Sequence, residues 1–203
     1  EIPGGGPYDL MGNLTEQVVA PQPLHLVNTK WQMQDANWWP DWPTSAEKIQ
    51  WFYEHSGGAS VDGVITLTPD VIEQMLAITG PIDMPEYDTT ITADNFYTIT
   101  QQQAERKYDD TRESKKFIAD MTPRLLDTLF SIDAETLLPV MQVVYDGLQQ
   151  KDILVYFNDP YLQNEFSQRG WTGEIEHTSG DYLQVVDTNI GGGKTDAAIQ
   201  ETI

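Results

Sequence analysis

The chain has 203 residues, with 32 Asp and Glu against 11 Lys and Arg, so its formal net charge at pH 7 is −21. This charge repels phosphate backbones and anionic lipids, which argues against nucleic acid or anionic membrane as a partner and favours divalent cations, a salty habitat or an exposed cell surface. The absence of cysteine excludes disulfides, zinc–thiolate sites and Cys nucleophiles, and no apolar run reaches the roughly 20 residues of a membrane-spanning segment.

A short tryptophan-rich stretch, residues 35–43, is predicted to organise the rest of the chain. It holds two acids, one Asn, three Trp and two Pro. Each Pro fixes φ and lacks an N–H, which excludes a helix interior or a central strand and predicts a rigid loop. In one interpretation this loop presents Asp35, Asn37 and Asp41 to a ligand or metal. In the other interpretation the tryptophans pack as a plug that closes a hydrophobic core, and the acids only cap a helix and face solvent.

The elements that flank this loop are predicted to be a strand and a helix. Residues 24–31 alternate weakly in polarity and are predicted to form a strand that enters the loop. The helix that leaves the loop is expected over residues 45–55, with Thr44 or Ser45 as its N-cap. A Gly-Gly pair at residues 57–58 ends it.

The next block is predicted to be a strand, a tight turn and a helix, which is half of an α/β unit. Residues 61–68 are β-branched and almost continuously apolar, as in a strand that is buried on both faces. Pro69 is typical of the first position of a helix, and that helix stops at a Gly-Pro pair. Two short edge strands are then expected at residues 82–84 and 89–91.

The second half begins with two amphipathic helices, over residues 117–129 and 137–148, whose apolar stripes are predicted to be core. Pro123 lies inside the first pattern, so that helix is expected to kink there or to restart with Thr122 as its cap. Asp159 is predicted to cap a third helix, which follows a buried strand.

These elements together predict an α/β fold, in which a mixed central sheet has helices on both faces. The chain is expected to form a single domain over residues 1–203. The predicted core strands of the sheet are residues 61–67, 153–157 and 182–187.

A glycine-rich loop after the last predicted strand is a candidate cation site. It offers Asp187, Asn189 and Asp196 around three glycines. Ca²⁺ and Mg²⁺ prefer several oxygen ligands, and glycine lets a loop bend around the ion. The alternative is a tight glycine turn with a capping Asp.

Several motifs, in the same order, resemble those of a known family. These motifs are Asp-Ala-Asn-Trp at 35–38, Pro-Asp at 40–41, Pro-Thr-Ser-Ala at 43–46, Val-Asp-Gly-Val-Ile at 61–65, Thr-Gly-Pro at 79–81, Gly-Trp-Thr-Gly at 170–173 and the glycine-rich loop at 186–196. They are similar to DUF4012, a family of uncharacterised bacterial and archaeal surface proteins. Its pattern usually begins earlier, so the chain is expected to lack an N-terminal segment. The resemblance implies an exported, extracytoplasmic protein of the cell surface.

The layout is also distantly similar to that of the LytR-CpsA-Psr phosphotransferases, which move glycopolymers from polyprenyl pyrophosphate carriers to the cell wall. This similarity implies a metal-dependent site in which Asp35 and Asp41 hold the metal or one acts as base. The glycine-rich loop, including Lys194, would complete it. Position 34 is commonly Arg in the DUF4012 family and is Gln here, which removes a bidentate donor for pyrophosphate.

Two functions follow from these observations. The first is a non-enzymatic cell-surface module for binding or assembly, stabilised by Ca²⁺ or Mg²⁺, whose partner is a glycopolymer, a protein or a second copy of the chain. The second is a metal-dependent glycopolymer phosphotransferase. The acidic surface, the scarcity of Arg and the lack of a recognisable nucleophile favour the first.

Overall fold

The structure is a computed structural model that describes residues 10–26, 28, 30–105, 116–175 and 178–186, without the side chains of residues 104 and 105. Six α-helices lie in these ranges: α1 (Trp42–His55), α2 (Pro69–Thr79), α3 (Phe96–Glu105), α4 (Lys116–Phe130), α5 (Ala134–Gln150) and α6 (Pro160–Ser167). The four strands in the same ranges are β1 (Gly63–Leu67), β2 (Ile82–Met84), β3 (Thr89–Ile91) and β4 (Ile153–Phe157). None of the described helices combines the length and apolar character that crossing a bilayer requires.

The strands form two small antiparallel sheets instead of the predicted central sheet. β1 pairs with β4, with Ile65 opposite Val155, and β2 pairs with β3, with Ile82 opposite Ile91. The content is therefore roughly α/β, as predicted. The mixed three-stranded centre is wrong, because each described sheet has only two strands and both pairings are antiparallel.

The third predicted core strand is wrong over its described part. Residues 182–186 have no regular secondary structure, and all five are exposed. Strand-forming residues become a strand only when a neighbouring edge accepts their backbone hydrogen bonds. Within the described part of the chain this segment pairs with no strand edge, and Asp187 lies outside the described residues.

The predicted strand at residues 24–31 is replaced, over its described part, by a 3₁₀ helix at Gln22–Leu26. The N–H of Leu24 donates to the carbonyl of Pro21 at 2.9 Å. The two prolines at positions 21 and 23 favour such a turn, because each fixes φ and neither can donate to a ladder.

Strand β1 is buried less than predicted. Ile65 and Leu67 are 63% and 43% exposed, whereas the opposing residues on β4, Val155 and Ile153, are each 5% exposed. On the face that these four side chains share, β4 is therefore covered whereas Ile65 and Leu67 of β1 are largely open to solvent. The expectation that β1 is buried on both faces is therefore wrong.

Two helices differ from their prediction. Helix α4 runs through Pro123 without a restart, and the hydroxyl of Thr122 donates within the helix to the carbonyl of Ile118 at 2.7 Å. Thr122 is therefore not a cap. On α5, Leu138 and Met141 are 72% and 57% exposed, so part of its apolar stripe is surface and not core.

Three clusters of buried apolar side chains form the core. Helix α2 contributes to two of them: Leu76 packs with β2, β3, α3 and α4, while Val71 and Met75 pack with α5 and β4. The third cluster joins the N-terminal segment to α1 and includes Trp31 and Phe52. This third cluster holds the tryptophan-rich loop in place.

Candidate functional site

The tryptophan-rich loop packs against helix α1 as an aromatic plug. The ring of Trp31 lies 5.5 Å from that of Trp39 and 5.4 Å from that of Phe52, both in edge-to-face geometry. Phe52 and Ala36 are completely buried. Such pairs stabilise beyond the area that they bury, so this part of the loop has a structural role.

The loop is fastened to α1 by Ser45, whose side chain is completely buried. Its hydroxyl accepts from the N–H of Trp39 at 2.9 Å and donates to the carbonyl of Trp39 at 2.8 Å. One hydroxyl thus satisfies both backbone groups of a loop residue, which removes the cost of burying them unpaired.

Asp41 is the N-cap of α1, which corrects the predicted cap at Thr44 or Ser45. Its Oδ2 accepts from the N–H of Thr44 at 3.2 Å and from the Thr44 hydroxyl at 2.5 Å. Helix α1 begins at Trp42 because Pro43 fits its first turn, where no N–H is needed. The cap therefore lies ahead of the proline and not behind it.

Asp41 also joins two motifs that are far apart in the sequence. Its Oδ1 accepts from the N–H of Ile175 at 3.1 Å, and the N–H of Trp42 donates to the carbonyl of Gly173 at 3.1 Å. The turn at residues 170–173 is thereby tied to the start of α1. Both carboxylate oxygens of Asp41 hold the protein together at this point.

The other predicted site residues in the loop are placed differently. The Oδ2 of Asp35 accepts from the side-chain amide of Asn28 at 2.6 Å, and Asn37 is exposed. Within the described ranges, no group of three or more His, Asp and Glu is arranged to hold a metal ion. A ligand site at Asp35, Asn37 and Asp41 stays a prediction.

The remaining predicted site residues lie outside the described part of the chain. They are the candidate cation ligands Asp187, Asn189 and Asp196 and the candidate site residue Lys194. The predicted Ca²⁺ or Mg²⁺ site therefore stays a prediction.

We expect Asp41→Ala to lower the free energy of unfolding by about 1–2 kcal/mol, since it removes an N-cap and a long-range hydrogen bond. The measurement is equilibrium urea unfolding. Asp133→Ala is the matched control, because Asp133 caps α5 through the N–H of Thr136. A loss no larger than that of the control would show that the contact with Ile175 adds no stability.

Lys48 lies against the aromatic plug and was not singled out from the sequence. Its Nζ is 4.2 Å from the ring centroid of Trp51 and 5.0 Å from those of Trp31 and Phe52. Burial lowers the pKa of Lys48, and the charge of Glu16 opposes that shift. The spacing of Lys48, Trp51 and Phe52 on one helix face is a signal that could have indicated this cation–π contact.

A large apolar groove opens between α2, α3 and α4. Its volume is about 720 Å³, within the usual range of ligand pockets. Tyr97 on α3 and Leu126 on α4 are 37% and 44% exposed at its surface. Its lining among the described residues is uncharged and consists of Leu67, Pro69, Ile72, Met75, Phe96, Tyr97, Thr100, Gln101, Ile118, Met121, Thr122, Leu125, Leu126 and Leu129.

The groove was not predicted from the sequence. Its lining comes from three helices and the end of β1, and each apolar stripe alone is indistinguishable from a core-facing stripe. The hydroxyl of Thr100 is buried there without a hydrogen-bond partner among the described residues. A buried polar atom of this kind can orient a ligand in an otherwise apolar site.

Comparison with known proteins identifies the first half of the chain. The model of the family "Protein of unknown function (DUF4012)" matches residues 10–104. This part of the chain belongs to that family. The DUF4012 segment contains the tryptophan-rich loop, α1, β1 and α2, as well as β2, β3 and nearly all of α3. The second half of the predicted resemblance, including the motif at residues 170–173, lies beyond this match.

No curated protein and no solved structure matches the chain. The similarity to LytR-CpsA-Psr phosphotransferases is therefore not supported by these comparisons and stays a prediction. The groove lies across the boundary of the family match, since α4 follows the DUF4012 segment whereas α2 and most of α3 belong to it.

Proposed function

We propose that this protein is an extracytoplasmic, cell-surface module that binds or assembles with a partner, and that the groove between α2, α3 and α4 is its contact surface. The observation that carries the proposal is a groove of about 720 Å³ whose described lining is uncharged, in a chain of net charge −21. In a chain with this excess of acids, a large apolar concavity is a place where burial of apolar groups gains free energy.

The ligand that fits is an apolar segment of a protein partner, seated between the helices. Helical grooves of this kind accept the apolar face of an amphipathic segment. Leu126 and Tyr97 at the rim supply apolar contact area, and Thr100 and Gln101 supply the polar groups within the groove. The net charge of −21 disfavours an acidic partner and favours a neutral or basic one.

The positions of the described arginines also favour binding over phosphoryl transfer. Arg124 forms an ion pair with Glu86 at 2.8 Å, and Arg169 forms one with Glu165 at 3.0 Å. Both lie at surface sites and are already engaged by carboxylates. Phosphotransferase activity, the alternative, would need pyrophosphate donors from elsewhere in the chain and stays a prediction.

The groove is tested by titration with Nile red, a neutral apolar dye whose fluorescence reports apolar binding. We expect Leu126→Gln to weaken dye binding about fivefold, since roughly 1 kcal/mol of apolar contact is lost. Leu138→Gln on α5 is the matched control, because Leu138 is 72% exposed and lies outside the groove. Equal effects of the two substitutions would contradict the groove as the binding surface.

The cell-surface location needs a separate measurement. Protease added to intact cells that produce this chain naturally is expected to cleave it, whereas a cytoplasmic marker protein stays intact. Protection of the chain until the cells are lysed would contradict the proposed location without bearing on the groove.

A further inference from the structure

The outer edge of strand β1 is open. In an antiparallel ladder, alternate residues hydrogen-bond to the partner strand and the residues between them point away. The N–H of Asn158 donates to the carbonyl of Asp62 and that of Thr68 to the carbonyl of Asp152, both at 2.9 Å. These bonds fix which residues of β1 face β4.

The residues of β1 that point outward are therefore Gly63, Ile65 and Leu67. Val155, opposite Ile65, directs its N–H away from β1 to the carbonyl of Trp171 at 3.3 Å, as this register requires. Within the described part of the chain, no backbone hydrogen bond is recorded for the outward N–H groups of β1. Three residues of an edge strand are thus free to pair.

This edge lacks the usual protection. Natural edge strands commonly carry charges, prolines or bulges that prevent pairing with another strand. The sequence of β1, Gly-Val-Ile-Thr-Leu, contains none of these. The exposed fractions of Ile65 and Leu67 are 63% and 43%. An added strand would extend the sheet beyond β1 and place its own side chains beside Ile65 and Leu67.

A complementary strand-forming segment is present at residues 182–186, Tyr-Leu-Gln-Val-Val. It is rich in β-forming residues and uncharged, yet it has no regular structure. Leu183 and Val185 are 87% and 56% exposed. These two residues are two apart, so in an extended strand they share one face and can lie beside Ile65 and Leu67.

We propose that residues 182–186 of one copy add as a strand to the free edge of β1 in a second copy. Among the described residues neither element has a backbone partner, and a second copy of the chain would supply one to each. Trp171 and Ile175, which precede this segment in the sequence, are bonded to the far edge of β4 and to Asp41 and not to the outer edge of β1. Both elements are uncharged, which lets two chains of net charge −21 approach there.

This pairing is heterologous, because the donor and the acceptor are different surfaces. Each copy then offers one donor and one free edge, so the contact produces rings or open chains and not an isologous dimer. The inference rests on the assembly part of the proposed function and specifies its partner. Its acceptor edge shares only Leu67 with the described lining of the groove, whereas Tyr97 and Leu126 lie on helices outside the edge.

The test is disulfide trapping between two differently tagged single-cysteine variants. Because the chain has no cysteine, Ile65→Cys and Val185→Cys each introduce a single thiol, both at exposed positions. When the two proteins are mixed and oxidised with diamide, we expect a mixed disulfide dimer at least tenfold more abundant than with Ser179→Cys. Ser179 is exposed and lies outside the donor segment.

The outcomes separate the alternatives. Leu183→Cys is tested alongside Val185→Cys, because either residue can lie beside Ile65 when the added strand shifts its register on β1 by two residues. A mixed dimer with either one supports the proposal, and its absence with both overturns it. A monomeric disulfide in the double variant Ile65→Cys/Val185→Cys, without mixed dimers, also overturns it, because the segment then covers its own edge. Nile red binding is measured on the unmixed chain with and without Leu126→Gln, a residue outside the β1 edge, so the proposed function is judged separately.

Discussion

Phe52→Ala is expected to lower the free energy of unfolding by about 3–5 kcal/mol, the largest effect that we predict for a single substitution. Phe52 is completely buried, and its ring lies 5.4 Å from that of Trp31 and 5.1 Å from that of Trp51. The substitution removes the transfer free energy of the ring and leaves a cavity among rigid aromatic neighbours. Urea unfolding followed by circular dichroism measures the loss.

The matched control is Phe130→Ala at the end of α4, where the side chain is 85% exposed. Its effect is expected to be within about 0.5 kcal/mol. If the two substitutions cost the same, the aromatic cluster does not hold the tryptophan-rich loop on α1. The loop would then be free to act as a ligand-binding element, as the functional interpretation of its acids requires.

The parts of the fold that were predicted from sequence are those with local causes. The strands at residues 82–84 and 89–91 and the starts of α2 and α6 agree with the structure. Pro69 and Pro160 each occupy the first turn of a helix, and Asp159 caps α6 by accepting from the N–H groups of Tyr161 and Leu162. Each signal acts within four residues, so one sequence is enough to recognise it.

The incorrect predictions concern contacts between distant parts of the chain. The pairing of β1 with β4 joins Ile65 to Val155, and no local pattern specifies the direction or the partner of a strand. The apolar character of β1 suggested burial on both faces, because periodicity does not report whether a covering layer is present. The same limit applies to residues 182–186, whose composition indicates a strand but not its partner.

The candidate sites show the same division. Asp41 was singled out as a candidate ligand or else a capping acid, but its contact with Ile175 spans 134 positions and could not be inferred from the sequence. The groove was missed because α2, α3 and α4 each contribute a stripe that looks like core. Part of these stripes is exposed to solvent only because of the way the three helices are arranged. The 44% exposure of Leu126 is an example.

Gly63→Ala is expected to destabilise the protein by about 2–3 kcal/mol, since it forces backbone groups of paired strands apart. Gly63 begins β1 opposite Phe157, and a Cβ at this position would overlap the carbonyl oxygen of Tyr156. That oxygen belongs to the backbone and has no rotamer with which to move aside. The strand start must therefore shift, which weakens the neighbouring bond between Asn158 and Asp62.

Gly180→Ala is the matched control, because a Cβ there has only the Thr178 hydroxyl within 4 Å, at 3.8 Å. We expect thermal and urea unfolding to distinguish the two substitutions clearly.

The same pair also tests the acceptor edge, since a displaced start of β1 moves the outward backbone groups of Ile65 away from an incoming strand. Gly63→Ala should therefore lower the yield of the mixed disulfide under conditions where it is still folded. An unchanged stability would mean that β1 begins after Gly63, and the acceptor edge would then be one residue shorter.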